Sequence, residues 1–278
     1  MGGSPLITLT TDFGTQDPYV AEMKGVMLQL NPQLTVVDIS HHIPPQRVAQ
    51  GAFVLGSAYP FFPRDTIHVA VVDPGVGTSR RAVLLVTPRG RFLAPDNGLI
   101  TYAVRESPEY RAAAEGHTFL ETVEVAVPSE CAAYRLSNRS LWRNPVSDTF
   151  HGRDVFAPVA AHLSLGTPPE EVGEPLPSLV CLCIPHPQRA GNTLTGHVIH
   201  VDRFGNLVTT VEGKALPQGR VEVQVRGYRI PGVSRSYAGG PAMLSIVGSH
   251  GNLEVAARNG SAARELGADV GDQVVVRY

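Results

Sequence analysis

Apolar and polar positions in the first half of the chain alternate in a way that predicts strands separated by helices. Four continuous apolar runs are typical of strands covered on both faces: residues 6–10, 34–39, 67–72 and 82–86. Helical spacing of apolar residues follows the first two runs, over residues 18–30 and 46–59. The first of these predicted helices carries one apolar stripe: Val20, Met23, Met27 and Leu30. This alternation predicts βαβ units and therefore an α/β fold with a mainly parallel sheet.

The pattern changes from about residue 190, where short strand-like runs are separated by turn signals and no long helix is predicted. These runs cover residues 196–201, 207–211, 221–225, 243–247, 253–257 and 273–277. They predict a smaller C-terminal antiparallel β barrel or sandwich. Because prolines cluster between residues 169 and 187, we place an α/β domain at residues 1–175 and a β domain at 190–278.

Composition and charge exclude several classes of protein. With 278 residues the chain is long enough for two domains, and its charged fraction of 17% argues against disorder. A net charge of −2 equips it poorly for nucleic acid. No apolar stretch reaches about 18 residues, and the N-terminus lacks the basic start of a signal peptide. We therefore expect a cytoplasmic protein with no membrane span and no nucleic-acid partner.

Cysteine and histidine usage indicates neither disulfides nor a metal. Three cysteines, Cys131, Cys181 and Cys183, fit a reducing compartment and lack the usual zinc spacing. The ten histidines form no metal-binding motif, and the side chains of the adjacent pair His41 and His42 are expected to point apart. We expect no metal and no cofactor.

Polar residues follow the first and third predicted strands, where a parallel sheet collects its ligands. Asp12 ends the first strand, and a carboxylate at a strand end suits the two hydroxyls of a ribose. Asp17 stands before Pro18 and is a good candidate for the helix N-cap. The third strand leads into residues 73–81, which combine a carboxylate, two glycines and two arginines without the P-loop or dinucleotide-binding pattern.

A further polar segment, FHGRDVF at residues 150–156, places His151 before a helix that we expect to be amphipathic through Leu163. Asp154 suits the first turn of that helix, where a negative charge interacts favourably with the helix dipole. The G-x-S-x-G pattern of serine hydrolases is absent from the sequence.

Six segments taken in order carry a resemblance to a known family. They are TLTTDFGTQDPYV, VVDPGVGTSRR, APDNG, FHGRDVFAPVAAHL, VDRFGNLVTT and SHGNLEVAARNGSAA. Spread over residues 5–277, they resemble the S-adenosyl-L-methionine (SAM) hydroxide adenosyltransferases, or SAM hydrolases, which are relatives of the SAM-dependent fluorinases and chlorinases. The resemblance implies an α/β domain and a smaller β domain. It also implies attack of water or hydroxide on ribose C5′ of SAM, with adenosine and L-methionine as products.

The same resemblance implies the residues of the site. The catalytic trio is Asp73, Arg80 and His151, with Arg80 favoured over the neighbouring Arg81 by its spacing. Arg80 is expected to hold water or hydroxide, His151 to take the proton, and Asp73 to orient the pair. Asp12 matches the carboxylate that binds the ribose diol. The other matched positions are Asp17, Asp202 and Ser249 at the methionine end, and Phe204, Asn206, Arg258 and Gly260 on the adenine side.

The family forms homotrimers with the pocket between subunits, so we expect a homotrimer, while the sequence leaves open whether the cleft lies between chains or within one. Two alternatives to hydrolysis stay open: a SAM-dependent halogenase and a non-catalytic sensor of SAM or adenosine. The trio and the lack of a long insertion near residues 62–64 favour hydroxide over halide. A phosphate-ester hydrolase is the least supported interpretation, because the sequence shows no phosphate cradle.

Overall fold

A computed structural model describes residues 4–238 and 240–278. The chain forms two compact units. Unit 1 holds the residues up to His117 together with Glu121–Leu182, and unit 2 holds Thr118–Leu120 together with Cys183–Tyr278. In the described part of the chain, no helix is both long and apolar enough to cross a membrane.

Among its described residues, unit 1 combines a six-stranded sheet, a separate strand pair and four α-helices. Its strands are β1 (Leu6–Thr11), β2 (Thr35–Ser40), β3 (Ile67–Val71), β4 (Ala82–Thr87), β5 (Gly90–Pro95), β6 (Thr122–Ala126), β7 (Ala132–Arg135) and β8 (Ser178–Leu182). Its helices are α1 (Tyr19–Leu30), α2 (Val48–Ala58), α3 (Pro108–Ala114) and α4 (Ala157–Ser164). The sheet has the order β2-β1-β3-β5-β4-β7, and β6 pairs with β8.

The central sheet is mainly parallel, as predicted, with an antiparallel edge. Strand β1 runs parallel to β2 and β3, and β3 runs parallel to β5. The run at residues 82–86, which we grouped with the parallel strands, instead forms β4, antiparallel to both β5 and β7. The physical reason is the connection of two residues between β4 and β5, which is long enough for a hairpin and too short for a parallel crossover.

Helix α1 packs against α4 and buries Val20, Met23, Val26 and Met27. Leu30, expected on the same stripe, is the last residue of α1 and remains 37% exposed. The expectation that α4 is amphipathic is wrong, since most of its residues on every face are buried in the core of unit 1. The turn before α4, Gly152–Phe156, has π-helical hydrogen bonding, a rare form that often occurs at functional sites.

Unit 2 is an antiparallel β structure, which confirms the predicted C-terminal β fold. Its strands are β9 (Gln188–Ala190), β10 (Thr193–Val201), β11 (Leu207–Glu212), β12 (Glu222–Val225), β13 (Tyr228–Pro231), β14 (Met243–Val247), β15 (Asn252–Ala257) and β16 (Gln273–Arg277), and its short helix is α5 (Ala262–Leu266). The strand order is β13-β12-β16-β10-β11-β15-β14, with β9 paired to β10. A bridge between Ser234 and Ile246 ties the segment after β13 to β14 and nearly closes a barrel.

Candidate active site

The loop between β3 and β4 folds back on itself and carries two of the predicted catalytic residues. Backbone hydrogen bonds close successive turns, with Val76 donating to Asp73 at 3.3 Å and Thr78 donating to Gly75 at 3.2 Å. Gly77 has φ +76°, and a Cβ there would lie 2.5 Å from the carbonyl oxygen of Asp148. A residue with a side chain does not fit at this position, so the glycine allows the loop to pack against the segment that leads to His151.

Asp73, Arg80 and His151 lie in direct contact. The guanidinium of Arg80 donates from Nε to Asp73 Oδ1 at 3.0 Å and from Nη2 to Asp73 Oδ2. The same Nη2 lies 2.9 Å from Nδ1 of His151. The side chain of Asp73 is 5% exposed and that of Arg80 is 12% exposed. The fold therefore joins residues that are more than 70 positions apart in sequence into one charged, largely buried unit.

His151 is held in its neutral form. Burial lowers the pKa of His151, and the positive charge of Arg80 lowers it further, while Asp73, Asp154 and Asp148 act in the opposite direction. Arg80 always donates, so Nδ1 of His151 accepts and the neutral ring carries its proton on Nε2. In this arrangement both Arg80 and His151 present N–H donors to a ligand.

The neighbouring arginine, Arg81, forms an ion pair with Asp96. Nε of Arg81 donates to Asp96 at 2.6 Å, and the other oxygen of Asp96 accepts from the backbone N–H of Val180 at 2.8 Å. Arg81 and Asp96 thus connect the end of the β4–β5 hairpin to β8. Of the two adjacent arginines, the one chosen by spacing is the one that contacts His151.

Asp12 and Asp17 flank the segment that leads from β1 into α1. Oδ2 of Asp12 accepts the backbone N–H of Gln46 at 2.8 Å, which fixes a residue with φ +65° just before α2. The N-cap role expected for Asp17 is wrong, because Pro18 occupies the N-cap of α1 and no side chain caps this end. Asp17 is exposed.

Three aromatic rings connect the Asp12–Asp17 segment to the residue before His151. Phe13, Tyr19 and Phe150 pack with ring centroids 5.2–5.9 Å apart. These edge and tilted contacts are favourable aromatic geometries. The predicted ribose-binding carboxylate and the catalytic trio are therefore carried by segments that pack together within unit 1.

A cavity of about 730 Å³ adjoins Arg80 and His151 on the side formed by β7 and the segment after it. This volume lies in the usual range for small-molecule sites. Charged residues on its walls include Arg135, Arg139, Arg143 and Asp148. Across residues 4–238 and 240–278, no group of three His, Cys, Asp or Glu side chains is arranged to hold a metal ion.

In unit 2, the β10–β11 turn holds three of the predicted substrate residues. Oδ1 of Asp202 accepts the backbone N–H groups of Phe204 and Asn206 at 2.9 and 2.8 Å, and Oδ2 accepts the Asn206 amide at 2.8 Å. Gly205 completes the turn with φ +83°. Asn206 is buried, whereas the ring of Phe204 is 75% exposed. The hydrogen bonds of Asp202 therefore hold the turn rigid, and the ring of Phe204 is exposed to solvent.

The remaining predicted residues lie at opposite ends of β15. Ser249 is exposed in the turn between β14 and β15. At the other end, Arg258 donates to the carbonyl of Gly240 at 3.2 Å, and a Cβ on Gly260 would lie 2.1 Å from Glu265 Oε1. The carbonyl of Gly205 accepts from Ala263 at 2.9 Å, so the Asp202 turn lies beside the connection that contains Arg258 and Gly260.

Sequence reasoning missed the importance of Asp154, which we had taken for a helix-start charge. Its side chain is fully buried and ion-paired to Arg143 and Arg153. The signal in the sequence is the pair Arg153-Asp154, which follows His151 after a single glycine. The separation of eleven positions between Arg143 and Asp154 hides the second partner from a local pattern.

An α/β unit with a largely buried Asp–Arg–His trio beyond its strand ends has the arrangement of an enzyme active site. The chain matches two family descriptions, "SAM hydroxide adenosyltransferase N-terminal domain" over residues 7–173 and "SAM hydroxide adenosyltransferase C-terminal domain" over residues 196–275. The chain belongs to the SAM hydroxide adenosyltransferase family, which confirms the resemblance seen in the sequence.

Curated relatives and solved structures agree with this family. An (R)-S-adenosyl-L-methionine hydrolase of Thermus thermophilus is 42% identical over 94% of this chain and 95% of the relative. One of Methanocaldococcus jannaschii is 30% identical over 98% and 96%. A fluorinase of Actinoplanes sp. is 30% identical over 81% and 77%. The crystal structure of an uncharacterized conserved protein from Thermotoga maritima superposes with a TM-score of 0.83 at 32% identity, covering 98% of this chain and 100% of the other.

Proposed function

We propose that this protein hydrolyses SAM to adenosine and L-methionine through attack of water or hydroxide on ribose C5′. The observation that carries the proposal is the direct contact between Asp73, Arg80 and His151 in a chain of this family. Curated relatives named (R)-S-adenosyl-L-methionine hydrolase cover nearly the whole chain and support it.

The reaction needs alignment more than activation of the leaving group. A C5′–O bond forms while the C5′–S bond breaks, and the bonding electron pair moves to sulfur, which leaves as a neutral thioether. Because the sulfonium already carries a positive charge, the reaction as balanced requires no cofactor and no metal. The protein supplies orientation of the oxygen nucleophile, C5′ and sulfur in one line.

The trio supplies the nucleophile. The guanidinium of Arg80 and Nε2–H of His151 are both donors, and donors stabilise hydroxide more strongly than water. A water bound there loses its proton to solvent more readily. Asp73 balances the charge of Arg80 and fixes its orientation through two hydrogen bonds. From the sequence we expected His151 to take the proton. Because Nε2 already carries a proton, the ring would have to take it on Nδ1, and for that it must first release Arg80.

Substrate recognition is assigned to residues of both units. Asp12 binds the ribose hydroxyls, and the carboxylates of Asp17 and Asp202 attract the ammonium group of the methionine end. The remaining contacts are assigned to Ser249 at the methionine end, and to Phe204, Asn206, Arg258 and Gly260 around adenine. The support for a homotrimer, which we also propose, is the family to which the chain belongs. Three cysteines outside any disulfide support a cytoplasmic location.

The decisive experiment is incubation of the purified protein with SAM in water enriched in ¹⁸O, at high chloride concentration. We expect adenosine carrying ¹⁸O at its 5′ oxygen, together with L-methionine. A 5′-chloro nucleoside as the main product would establish a halogenase instead. Retention of SAM over hours without release of adenosine would establish a sensor.

A further inference from the structure

Asp154 is a buried carboxylate three residues after His151, and it is surrounded by donors. Arg143 Nη1 donates to Oδ1 at 2.9 Å, and Arg153 donates to both oxygens at 2.8 and 3.0 Å. The backbone N–H of Ser147 donates to Oδ2 at 2.9 Å. The carboxylate therefore accepts four hydrogen bonds while its side chain is entirely hidden from solvent.

These bonds close the segment 143–154 into a loop. The carbonyl of Asp154 accepts the backbone N–H of Arg143 at 2.9 Å, so the side chain and the backbone of Asp154 both reach the start of the segment. The backbone N–H of Asp154 donates to Phe150 at 3.1 Å. His151 lies inside this closed loop, and its position relative to Arg80 depends on the loop geometry.

Arg153 links the hydrogen bonds of Asp154 to a residue outside the closed loop. Arg153 also donates to Glu22 Oε2 at 2.8 Å and lies over the ring of Phe150 at 5.1 Å. Glu22 lies on α1, with its side chain 36% exposed, so it serves as an outer partner whose removal leaves Asp154 with all its donors.

Electrostatics gives Asp154 a second effect on His151. The negative charges of Asp73, Asp154 and Asp148 raise the pKa of His151 against burial and the charge of Arg80. Burial alone acts to raise the pKa of Asp154, but the bonds from Arg153, Ser147 and Arg143 outweigh it and keep the pKa below its ordinary value. Asp154 is therefore ionised at neutral pH.

We propose that Asp154 is a positioning residue for the hydrolysis: it locks residues 143–154 so that Nδ1 of His151 meets the guanidinium of Arg80. This inference rests on the proposed function for its kinetic consequences only, since the contact between His151 and Arg80 belongs to the fold itself.

The test is the variant Asp154→Asn, which keeps the shape of the side chain and removes its charge. We expect kcat to fall about 10- to 100-fold, because small displacements of reacting groups have effects of this size, while KM for SAM stays nearly unchanged. Activity needs neutral His151, so the acid limb of the pH–rate profile should move to lower pH. Melting temperature is measured alongside, with kinetics recorded well below it.

Two control variants distinguish the effect of loop position on kcat from the effect of charge on the pKa of His151 and from a loss of stability. Glu22→Gln removes the outer partner of Arg153 and should change neither kcat nor the acid limb. Asp148→Asn removes a charge that acts on His151 without closing the loop, and should move the acid limb to lower pH with a smaller loss of kcat than in Asp154→Asn. A fall in melting temperature of Asp154→Asn with kcat and the acid limb unchanged would show a purely structural role and overturn the proposal.

Two further measurements keep the proposal open to refutation. If Asp154→Asn does not fold, Arg143→Gln loosens the same loop at its more exposed end. It should lower kcat several-fold at unchanged KM, and unchanged kcat would contradict the proposal. If the wild type releases no adenosine, the proposed function fails, but NMR titration of the His151 imidazole still tests the geometry. An unshifted titration in Asp154→Asn would then reject the positioning role.

Discussion

The trio of unit 1 and the β10–β11 turn of unit 2 are built in opposite ways. Arg80 reaches His151 across 71 positions of sequence, and the side chains of Asp73 and Arg80 are nearly buried. The side-chain hydrogen bonds of the Asp202–Asn206 turn, in contrast, lie within five residues, and the turn leaves Phe204 75% exposed. The chemistry that we propose for the trio depends on fixed distances, which long-range contacts in a core provide. The recognition of adenine that we propose for Phe204 needs only a stiff local turn. Substitutions in the first region should therefore act on kcat, and those in the second on affinity.

The largest effect is expected at Arg80. The substitution Arg80→Met removes the charged donor that contacts both Asp73 and His151, and we expect kcat to fall about 1000-fold, the scale seen when an oxyanion-stabilising group is lost. The rate of adenosine release under saturating SAM measures this. Arg81→Met is the matched control: it breaks the pair with Asp96 and should lower the melting temperature with kcat close to the wild type. An equal loss of kcat in both variants would contradict the assignment of Arg80.

The contrast between the two regions also explains how much of the site the sequence reveals. The turn around Asp202 could be interpreted from neighbouring residues, because Asp, Gly and Asn stabilise one another locally. The residues of the β3–β4 loop alone left its role open, and only the order of six motifs pointed to the trio. Asp154 was misjudged because its burial depends on Arg143, eleven positions earlier.

For the fold too, features that depend on neighbouring residues could be predicted from the sequence, and features that depend on distant residues could not. Strands with continuous burial, such as β3, or with regular spacing, such as β14 and β16, were predicted within a residue or two. Strands β6 and β8 were missed, since they pair only with each other across about fifty residues of intervening chain. Their partner is a property of the tertiary fold, which no local pattern encodes.

The second-largest effect is expected on the stability of unit 1 in acid, through His68 on β3, the strand that leads into the loop with Asp73 and Arg80. His68 on β3 is fully buried, stacked on Phe92 at 4.9 Å and bonded to Thr8 Oγ1 at 2.8 Å. Burial lowers the pKa of His68 from 6.5 to about 4. Between these values the unfolded chain binds a proton that the folded chain does not, so stability falls as pH decreases through this window. The loss attributable to His68 is about 3 kcal/mol, and no further loss from this group follows below the folded pKa.

Urea unfolding at a series of pH values measures this slope. The variant His68→Gln should flatten it, whatever its effect on stability at neutral pH. His42→Gln, at an exposed histidine, is the matched control for the substitution itself. The result also separates acid loss of activity through His151 from acid unfolding of unit 1. A slope that is identical in wild type and His68→Gln would show that burial does not hold His68 neutral.

A smaller effect is expected at Asp12, which lies in unit 1 like the trio but which we propose to act in substrate recognition. The substitution Asp12→Ala should weaken SAM binding about 30-fold, or about 2 kcal/mol, which is the scale of one hydrogen bond to a charged acceptor, with kcat within a factor of about three. Calorimetric titration of SAM into the inactive Arg80→Met background measures binding without turnover.

Asp12→Asn retains an oxygen for the N–H of Gln46 but offers the diol a donor in place of an acceptor. Recovery of affinity in Asp12→Asn, or a large loss of kcat with unchanged affinity in Asp12→Ala, would reassign Asp12 to loop anchoring or to chemistry.

The smallest effect is expected at Phe204, and it is the most direct test of the contrast between the two regions. Because the ring is largely exposed and the turn is held by Asp202, Phe204→Ala should leave the melting temperature nearly unchanged. Loss of stacking on adenine should raise KM about 10-fold at nearly constant kcat, since an aromatic–base stack contributes about 1–3 kcal/mol.

Two further variants show whether the aromatic face itself is responsible for the effect of Phe204. Phe204→Leu keeps apolar area without a ring and should recover only part of the affinity. Tyr228→Ala, at another exposed aromatic of unit 2, should bind SAM like the wild type. A fall of kcat in Phe204→Ala comparable to that of Arg80→Met would mean that the turn positions the reacting atoms. The β10–β11 turn would then contribute to the chemical step as well as to substrate binding, and the two regions would not have separate roles.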